Sequence, residues 1–494
     1  MTNPSNAAAD RDSATDMIVV GGGPVGVMTA ILAARSGMSV RLLERAPEVY
    51  DLPRAIVMDD EIQRVFQKVG LDAGLAEITT PLAGAEFVTT EGERIIGFEL
   101  PPTGTFPYGH HPTVSYYQPQ LEAFIRQAAV DAGVELLLGV EVDSVDQDDA
   151  GVTVHTSSPD GEVTYTATWL VAADGASSGI RKALGISFID QGFDQDWLVL
   201  DVQLLRPVET LPPFVQQICD PVRPTTFVVG HADYRRWEFQ LQPGDVAEEM
   251  TTPERVWALL APWLTPDDAH LIRSVVYRFH ALVADAMRSG RIFLAGDAAH
   301  QMPPFLGQGL CSGVRDAANL IWKLDLVNRG LAGDALLDTY GEERLPHAAG
   351  VVANAVDTGV LIDQLAGRVD ADKSLDAGYG GARPFPHLEH GLLHGEHPAV
   401  GRQVPQPAID GVRLDDLLGQ GFAVVVADAA VAADVRDRWG AVGGSIVVVS
   451  ADHLPLILAD EGAVIVRPDR QIAAVAADAT ELVSATDDLL ARLR

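Results

Sequence analysis

Three short runs in this chain combine glycines and carboxylates in a pattern suited to a phosphorylated, hydroxylated ligand. Met17-Ile18-Val19-Val20 leads straight into Gly21-Gly22-Gly23-Pro24-Val25-Gly26, a GxGxxG turn. Glu44 follows about 20 residues on, where a carboxylate reaches ribose hydroxyls while the helix start holds a diphosphate. Thr168-Trp169-Leu170-Val171-Ala172-Ala173 ends in Asp174-Gly175, and Arg291-Ile292-Phe293-Leu294-Ala295 ends in Gly296-Asp297. Pro303-Pro304-Phe305-Leu306-Gly307-Gln308-Gly309-Leu310 comes next. A strand ending in a carboxylate presents it at the carboxyl edge of a parallel sheet, where ligands of open α/β sheets bind. Glycines there let backbone amides approach closely. The chemistry implied is the holding of a hydroxylated, electron-accepting dinucleotide.

The surrounding elements support that reading. Val27 to Arg35 reads as a helix and Ser39 to Leu43 as a second strand, so the glycine turn sits inside a βαβ unit. Asp-Gly by itself is a turn signal. The Gly-Asp run lies far from the GxGxxG but must share its ligand, so residues 16–190 and 285–360 are expected to form one domain. Residues 191–284 carry alternating runs, Trp197–Leu200, Val202–Leu205, Phe227–Val229 and Trp237–Leu241, which predict antiparallel strands covering a substrate. Residues 361–413, with Gly378 to Gly381, Pro384, Pro386, Pro405 and Pro407, read as a linker. Residues 414–494 predict a last unit: strands Phe422–Ala427, Ser445–Val449, Ala463–Val466 and Gln471–Val475, and helices Val431–Trp439 and Ala479–Leu493.

The three motifs in this order resemble the single-component flavoprotein aromatic hydroxylases, the group typified by para-hydroxybenzoate and phenol hydroxylases. Further runs resemble its 3-(3-hydroxyphenyl)propionate hydroxylase branch: Asp51–Ala55, Gln118–Leu121, Cys219–Pro224, Arg235–Phe239, Arg315–Leu324, Asp334–Tyr340 and Val466–Arg470. Together they span nearly the whole chain. Residues 350–410 look short for that branch, and Cys311, expected beside the flavin ring, stands where many relatives carry Asn. The resemblance implies an α/β fold: a Rossmann-like FAD-binding domain of the para-hydroxybenzoate hydroxylase type, an antiparallel-sheet substrate domain, and a thioredoxin-like tail domain that here holds no Cys. It implies FAD as cofactor, NADH or NADPH as co-substrate, and transfer of one oxygen from O2 to a phenolic or polyphenolic ring through a flavin 4a-hydroperoxide. The alternative is a flavoprotein oxidase, reductase or epoxidase acting on a polyketide or isoprenoid.

Carried onto this sequence, the cofactor residues are Gly21, Gly23, Pro24, Val25, Gly26, Glu44, Arg45, Arg54, Gln118, Asp174, Gly175, Asp297, Pro304, Gly307, Gly309 and Leu310. Arg54 is expected to meet FAD phosphate or admit the nicotinamide, Gln118 to bond the ribityl chain or ring edge, and the Pro304 carbonyl to contact a substrate hydroxyl. The helix after Gly309 would aim unpaired N–H groups at the flavin, stabilising charge that develops on reduction. His280, as an imidazole, is a candidate proton acceptor. Tyr116, Tyr117, His231 and Arg236 are further pocket candidates. No metal site is expected.

Composition narrows the rest. The chain has 494 residues, with 35 Lys plus Arg against 69 Asp plus Glu and a net charge of −34. Such a balance disfavours nucleic acid and anionic membranes. No uninterrupted apolar run reaches the ~18 residues of a membrane helix. Residues 1–15 are small and polar, a disordered tail rather than a signal peptide. Two Cys suggest a reducing cytoplasm and no disulfide framework. A homodimer is one expected assembly.

Overall fold

The computed structural model describes residues 14–49, 52–369, 385–455, 457–458 and 462–494. Most of the expected tail, Asp51, Gly378 to Gly381 and Pro384 lie outside the described residues. The first sheet is mixed. Its central strands run in the order Ile292–Leu294, Gly161–Ala172, Thr15–Val20, Val40–Glu44 and Glu135–Leu138, each pair parallel. Met17 through Val20 are buried in succession because helices cover both faces of a parallel sheet. The glycine turn, Asp174 and Asp297 thus all fall at the carboxyl ends of neighbouring strands. The helix expected from Val27 begins at Pro24, which suits a first helical position because it has no N–H to leave unpaired. Strands Val152–Ser158 and Glu141–Gln147 add an antiparallel flank.

A second eight-stranded sheet contains Ala269–Ala284, Phe188–Leu204, Tyr234–Gln240, Thr225–Val229 and Val215–Ile218 in that order. The two strands expected at Trp197–Leu200 and Val202–Leu205 are one strand, Phe188–Leu204. Its pairing shifts register between Asp201 and Val202, so the break in the apolar alternation reflects a bulge and not a turn. Strands Gly84–Val88 and Arg94–Glu99, from within the 16–190 stretch, extend one edge of this sheet, and His300–Gln301 forms the other edge beside Ala269–Ala284; Gly84–Val88 pairs parallel with Val215–Ile218 while the other pairs are antiparallel. One face is apolar: Leu198, Leu200, Val202, Phe227, Trp237 and Phe239 pack with Val256, Leu260 and Leu264. The other face looks toward the first sheet.

The carboxyl-terminal sheet orders Ser445–Val448, Ala423–Val426, Ala463–Val466 and Ile472–Ala476, with one parallel and two antiparallel pairs. The single helix expected over Val431–Trp439 is instead a 3-10 turn, Ala429–Ala432, and a short helix, Arg436–Gly440. Asp428 caps the first turn through Ala430 N at 2.9 Å, and Val and Asp residues favour helices weakly. The tail is welded to the rest of the molecule. Trp322 packs on Phe422 with ring centres 5.4 Å apart, and buried Arg467 pairs with Glu343 at 2.7 Å and with Asp469 at 2.6 Å. Helix Ala335–Leu365 is long and apolar enough to cross a membrane by length and composition, but half of its most apolar window is buried inside the protein, as for a core helix.

Candidate active site

The glycine turn is shaped by contacts that leave no room for a side chain. A Cβ on Gly26 would stand 1.9 Å from Gly21 O, and one on Gly21, whose φ is +107°, would stand 2.2 Å from Ala173 O. At Gly23 nothing lies within 4 Å of that position, so the turn is closed on the protein side and open on the other. No side chain caps the helix Pro24–Arg35, and its first amide groups are free to meet an anion. Buried Arg126 sits beside them. Its Nη2 donates to Gly22 O at 2.8 Å and lies 3.6 Å from Glu122 Oε2, while Nε and Nη1 have no hydrogen-bond partner among the described residues. Sequence reasoning missed Arg126, since nothing in its spacing on helix Gln118–Asp131 connects it to a loop 104 residues earlier. Glu44 is where the motif puts it, but both oxygens hold backbone: Oε2 accepts from Gly22 N at 2.5 Å and Oε1 from Ala46 N at 2.7 Å. Each carboxylate oxygen keeps a second lone pair for a ribose hydroxyl. Arg45 is exposed.

Across the cavity, Gly296 and Asp297 form a tight turn fixed from beneath. Asp316 accepts from Gly296 N at 3.0 Å and from Arg344 Nε at 2.8 Å, and lies 2.7 Å from His300 Nε2. Burial opposes its charge, but His300, Arg344 and the Gly296 amide outweigh that cost and hold its carboxyl below the ordinary range. Asp297 faces the cavity. It is exposed to the cavity, and its enclosure among protein atoms raises its carboxyl above the ordinary range, against the pull of His300 and Arg54. Pro304–Leu306 forms a 3-10 turn whose Pro304 carbonyl accepts from Gly307 N at 2.8 Å. Gly307 takes φ +64° against Val57, and helix Gly309–Asn328 then starts with no side-chain cap and nothing near the Cα of Gly309 on its open side. Asp174 has one oxygen committed to the protein and one left over. Its Oδ2 accepts from Ile180 N at 3.3 Å at a helix start, and Oδ1 is buried without a partner, whereas Gly175 lines the cavity. Cys311 is fully buried behind Gly307, with Sγ 3.7 Å from Gly307 O, and is not part of the cavity wall.

The wall between the two sheets is held by side chains. Gln118 Oε1 accepts from Arg54 N at 2.8 Å and Ala55 N at 2.6 Å, and its Nε2 donates to Glu122, so this amide anchors the Pro53–Ala55 loop. From the second sheet Arg236 donates to Arg54 O at 2.6 Å and Pro53 O at 3.3 Å. Arg236 is also paired with Asp201 at 2.7 Å, and Arg273 Nε lies 3.0 Å from the same carboxylate. The Arg54 side chain faces the cavity. His280 is at the cavity wall opposite Asp194 in register, with Nδ1 3.8 Å from Asp194 Oδ1. Tyr116 is buried with its hydroxyl unpaired, Tyr117 stacks on Tyr234 at 3.9 Å, and His231 meets the Thr80 hydroxyl at 2.8 Å; none of the three lines the cavity.

A continuous cavity of about 480 Å³ joins these parts. At one end it is lined by Gly23, Pro24, Val25, Gly26, Gly175 and Asp297, in the middle by Arg54, Gln118, Pro304, Gly307, Gly309 and Leu310, and at the far end by Val199, Thr226, Glu238, Arg273 and Tyr277 of the second sheet. The open sides of Gly23, Gly175 and Gly309, with the unsatisfied groups of Arg126 and Asp174, fit a long cofactor carrying phosphate and hydroxyl groups. Among the described residues no cluster suits a metal ion.

Comparison with known proteins agrees with this geometry. Residues 14–355 match the family described as FAD binding domain. Over 97% of this chain and 95% of the relative, the sequence is 35% identical to a Rhodococcus jostii protein named "Probable NADH-specific resorcinol 4-hydroxylase". Over 82% of this chain and 77% of the relative, it is 36% identical to a 3-(3-hydroxy-phenyl)propionate/3-hydroxycinnamic acid hydroxylase of Klebsiella pneumoniae. Among solved structures, aklavinone-11 hydroxylase in a ternary complex with FAD and aklavinone superposes with a TM-score of 0.81 at 25% identity, covering 98% of this chain and 99% of that one.

Proposed function

This chain belongs to the FAD binding domain family, and on that premise we propose that its reaction is the NADH-dependent hydroxylation of a small phenolic ring with O2. It is a flavin-dependent monooxygenase. Bound FAD supplies the ring that accepts hydride and activates oxygen. The protein supplies position and polarity. Gly21 to Gly26 and Arg126 hold the diphosphate, Glu44 and Asp297 meet hydroxyl groups, and the N–H groups at Gly309 and Leu310 face charge on the reduced ring. Arg54 stands where the two halves of the cavity meet, and the Pro304 carbonyl keeps a lone pair for a substrate hydroxyl. The far sheet holds the aromatic ring. The observation that carries this reading is the single cavity running from the glycine turn to that sheet. The preference for NADH rests on the name of the Rhodococcus relative. The four-stranded order of the carboxyl-terminal unit, with one parallel and two antiparallel pairs, supports a thioredoxin-like tail. It contains no Cys, so its part is packing and not thiol exchange.

Anaerobic stopped-flow reduction by NADH, with and without a panel of phenols, tests the function. A suitable phenol should accelerate reduction at least ~10-fold, equivalent to about 1.4 kcal/mol of barrier, and yield a product heavier by one oxygen. Neither effect across a broad panel would leave an oxidase or reductase as the better reading.

A further inference from the structure

The cavity-facing side of the second sheet buries four charged residues where an apolar face would be cheaper. Strand Tyr234–Gln240 alternates: Trp237 and Phe239 enter the apolar core, while Arg236 and Glu238 face the other way. Glu238 pairs across the sheet with Thr226 on one side and Val199 on the other, and all three line the cavity. Asp201, Arg236, Glu238 and Arg273 are each at least nine-tenths buried. Their charges sum to zero, but their bonds are distributed unevenly. Asp201 accepts from Arg236 at 2.7 Å and lies 3.0 Å from Arg273 Nε, an ion pair in which Nε makes no hydrogen bond with any described residue, and Arg236 spends its remaining donors on the Pro53 and Arg54 carbonyls.

Glu238 is left over. Its contact with Arg236 is 3.8 Å, beyond hydrogen-bond distance, and no described residue donates a hydrogen bond to its carboxylate. The carboxylate lines the cavity, where a bound ligand can supply the missing donor. Burial, opposed by Arg236 and Arg273 and reinforced by Asp201, raises its carboxyl above the ordinary range. A group in that state gains most from a donor that brings no second negative charge.

We propose that Glu238 accepts a hydrogen bond from a ring hydroxyl of the substrate and so orients the phenol at the far end of the cavity. This rests on the phenol-hydroxylase reading above, but its consequence is an equilibrium one. Arg236 and Asp201 hold the strand and the Pro53–Ala55 loop in place; Glu238 is the member of the cluster that touches the ligand. A phenol should therefore bind better than its methyl ether, which fills similar space but donates nothing.

The test is binding of resorcinol and of its dimethyl ether to the FAD-loaded enzyme, followed by perturbation of the flavin absorption spectrum. The native enzyme should prefer resorcinol at least ~10-fold, about 1.4 kcal/mol, in the range of a hydrogen bond to a charged group. Glu238→Gln keeps a neutral acceptor and Glu238→Leu keeps none, so the preference should shrink from the native protein to Gln to Leu while ether affinity stays within about twofold. Equal affinity for the two ligands in the native enzyme overturns the proposal, even if neither variant folds with FAD. So does an unchanged preference in both variants. Resorcinol preference with no product heavier by one oxygen from any phenol of the panel would sink the phenol-hydroxylation reading and leave the role of Glu238 standing.

Discussion

The two ends of the cavity are built from different materials. The cofactor end is largely backbone: Gly21, Gly23, Gly26, Gly175 and Gly309 shape it, and its charges are few. The substrate end is a sheet face carrying Asp201, Arg236, Glu238 and Arg273. A backbone cradle binds what all members of the family share and tolerates almost no change of residue type. A side-chain wall is adjustable, and each adjustment acts through a partner. Substitutions at the two ends should therefore fail in different ways.

The strongest contrast comes from Gly26→Ala. A Cβ 1.9 Å from Gly21 O cannot be relieved by a rotamer change, since both atoms at the clash are backbone-fixed. The helix start must move away from Gly21. The purified variant should carry essentially no FAD, read as loss of the absorbance near 450 nm, with the carboxyl-terminal sheet intact by hydrogen exchange. Full occupancy would show that the turn is not the diphosphate cradle.

Asp201→Asn should produce the next largest effect, of another kind. It removes the charge shared by Arg236 and Arg273, leaving buried guanidinium groups uncompensated, a loss of about 3–5 kcal/mol for a broken buried pair. The melting temperature should fall while the remaining folded protein still binds FAD. A variant that melts normally but loses FAD would erase the distinction between the two ends.

Arg126→Met tests the exception, a side chain that matters at the backbone end. Removing a charged donor from the diphosphate should weaken FAD by about 1.5–3 kcal/mol, roughly 10- to 150-fold. Isothermal titration of the apoprotein with FAD measures it. Unchanged affinity would return Arg126 to a role as support for Gly22 O alone.

These effects also mark what the sequence makes legible. The glycine turn announces itself because a steric demand on the backbone forces a residue type, and that demand is local. The Gly296-Asp297 turn is visible for the same reason. Arg126, Asp316 and Glu238 are not, because each gains its meaning from a partner brought close by folding: Gly22, Gly296 and the cavity itself. Gln118 and Arg236 were visible as candidates, yet their hydrogen bonds go to the Pro53–Ala55 loop, which no spacing rule reveals. The hairpin Gly84–Val88 and Arg94–Glu99 escapes notice because it joins its sheet through Val215–Ile218, well over a hundred residues later. Asp174 combines the two: its motif position is visible, while the contact of one oxygen with Ile180 N is not.

The smallest expected effect concerns His280. It lies on the adjustable wall, and its side chain is 36% exposed beside Asp194, itself 49% exposed and already bound by Arg278. Exposed pairs of this kind contribute between nothing and about 1 kcal/mol. A proton acceptor for the substrate must instead come within hydrogen-bond reach of the ring hydroxyl when the phenol is bound. The wall offers such an acceptor at Glu238, which is buried and has no hydrogen-bond donor among the described residues. His280→Gln should therefore change kcat/KM by less than about threefold, or 0.7 kcal/mol, with the same dependence on pH as the native enzyme. A loss of tenfold or more with FAD binding and melting temperature unchanged would place proton transfer on His280. It would then be the side-chain wall, and not only the cofactor, that carries a step of the chemistry.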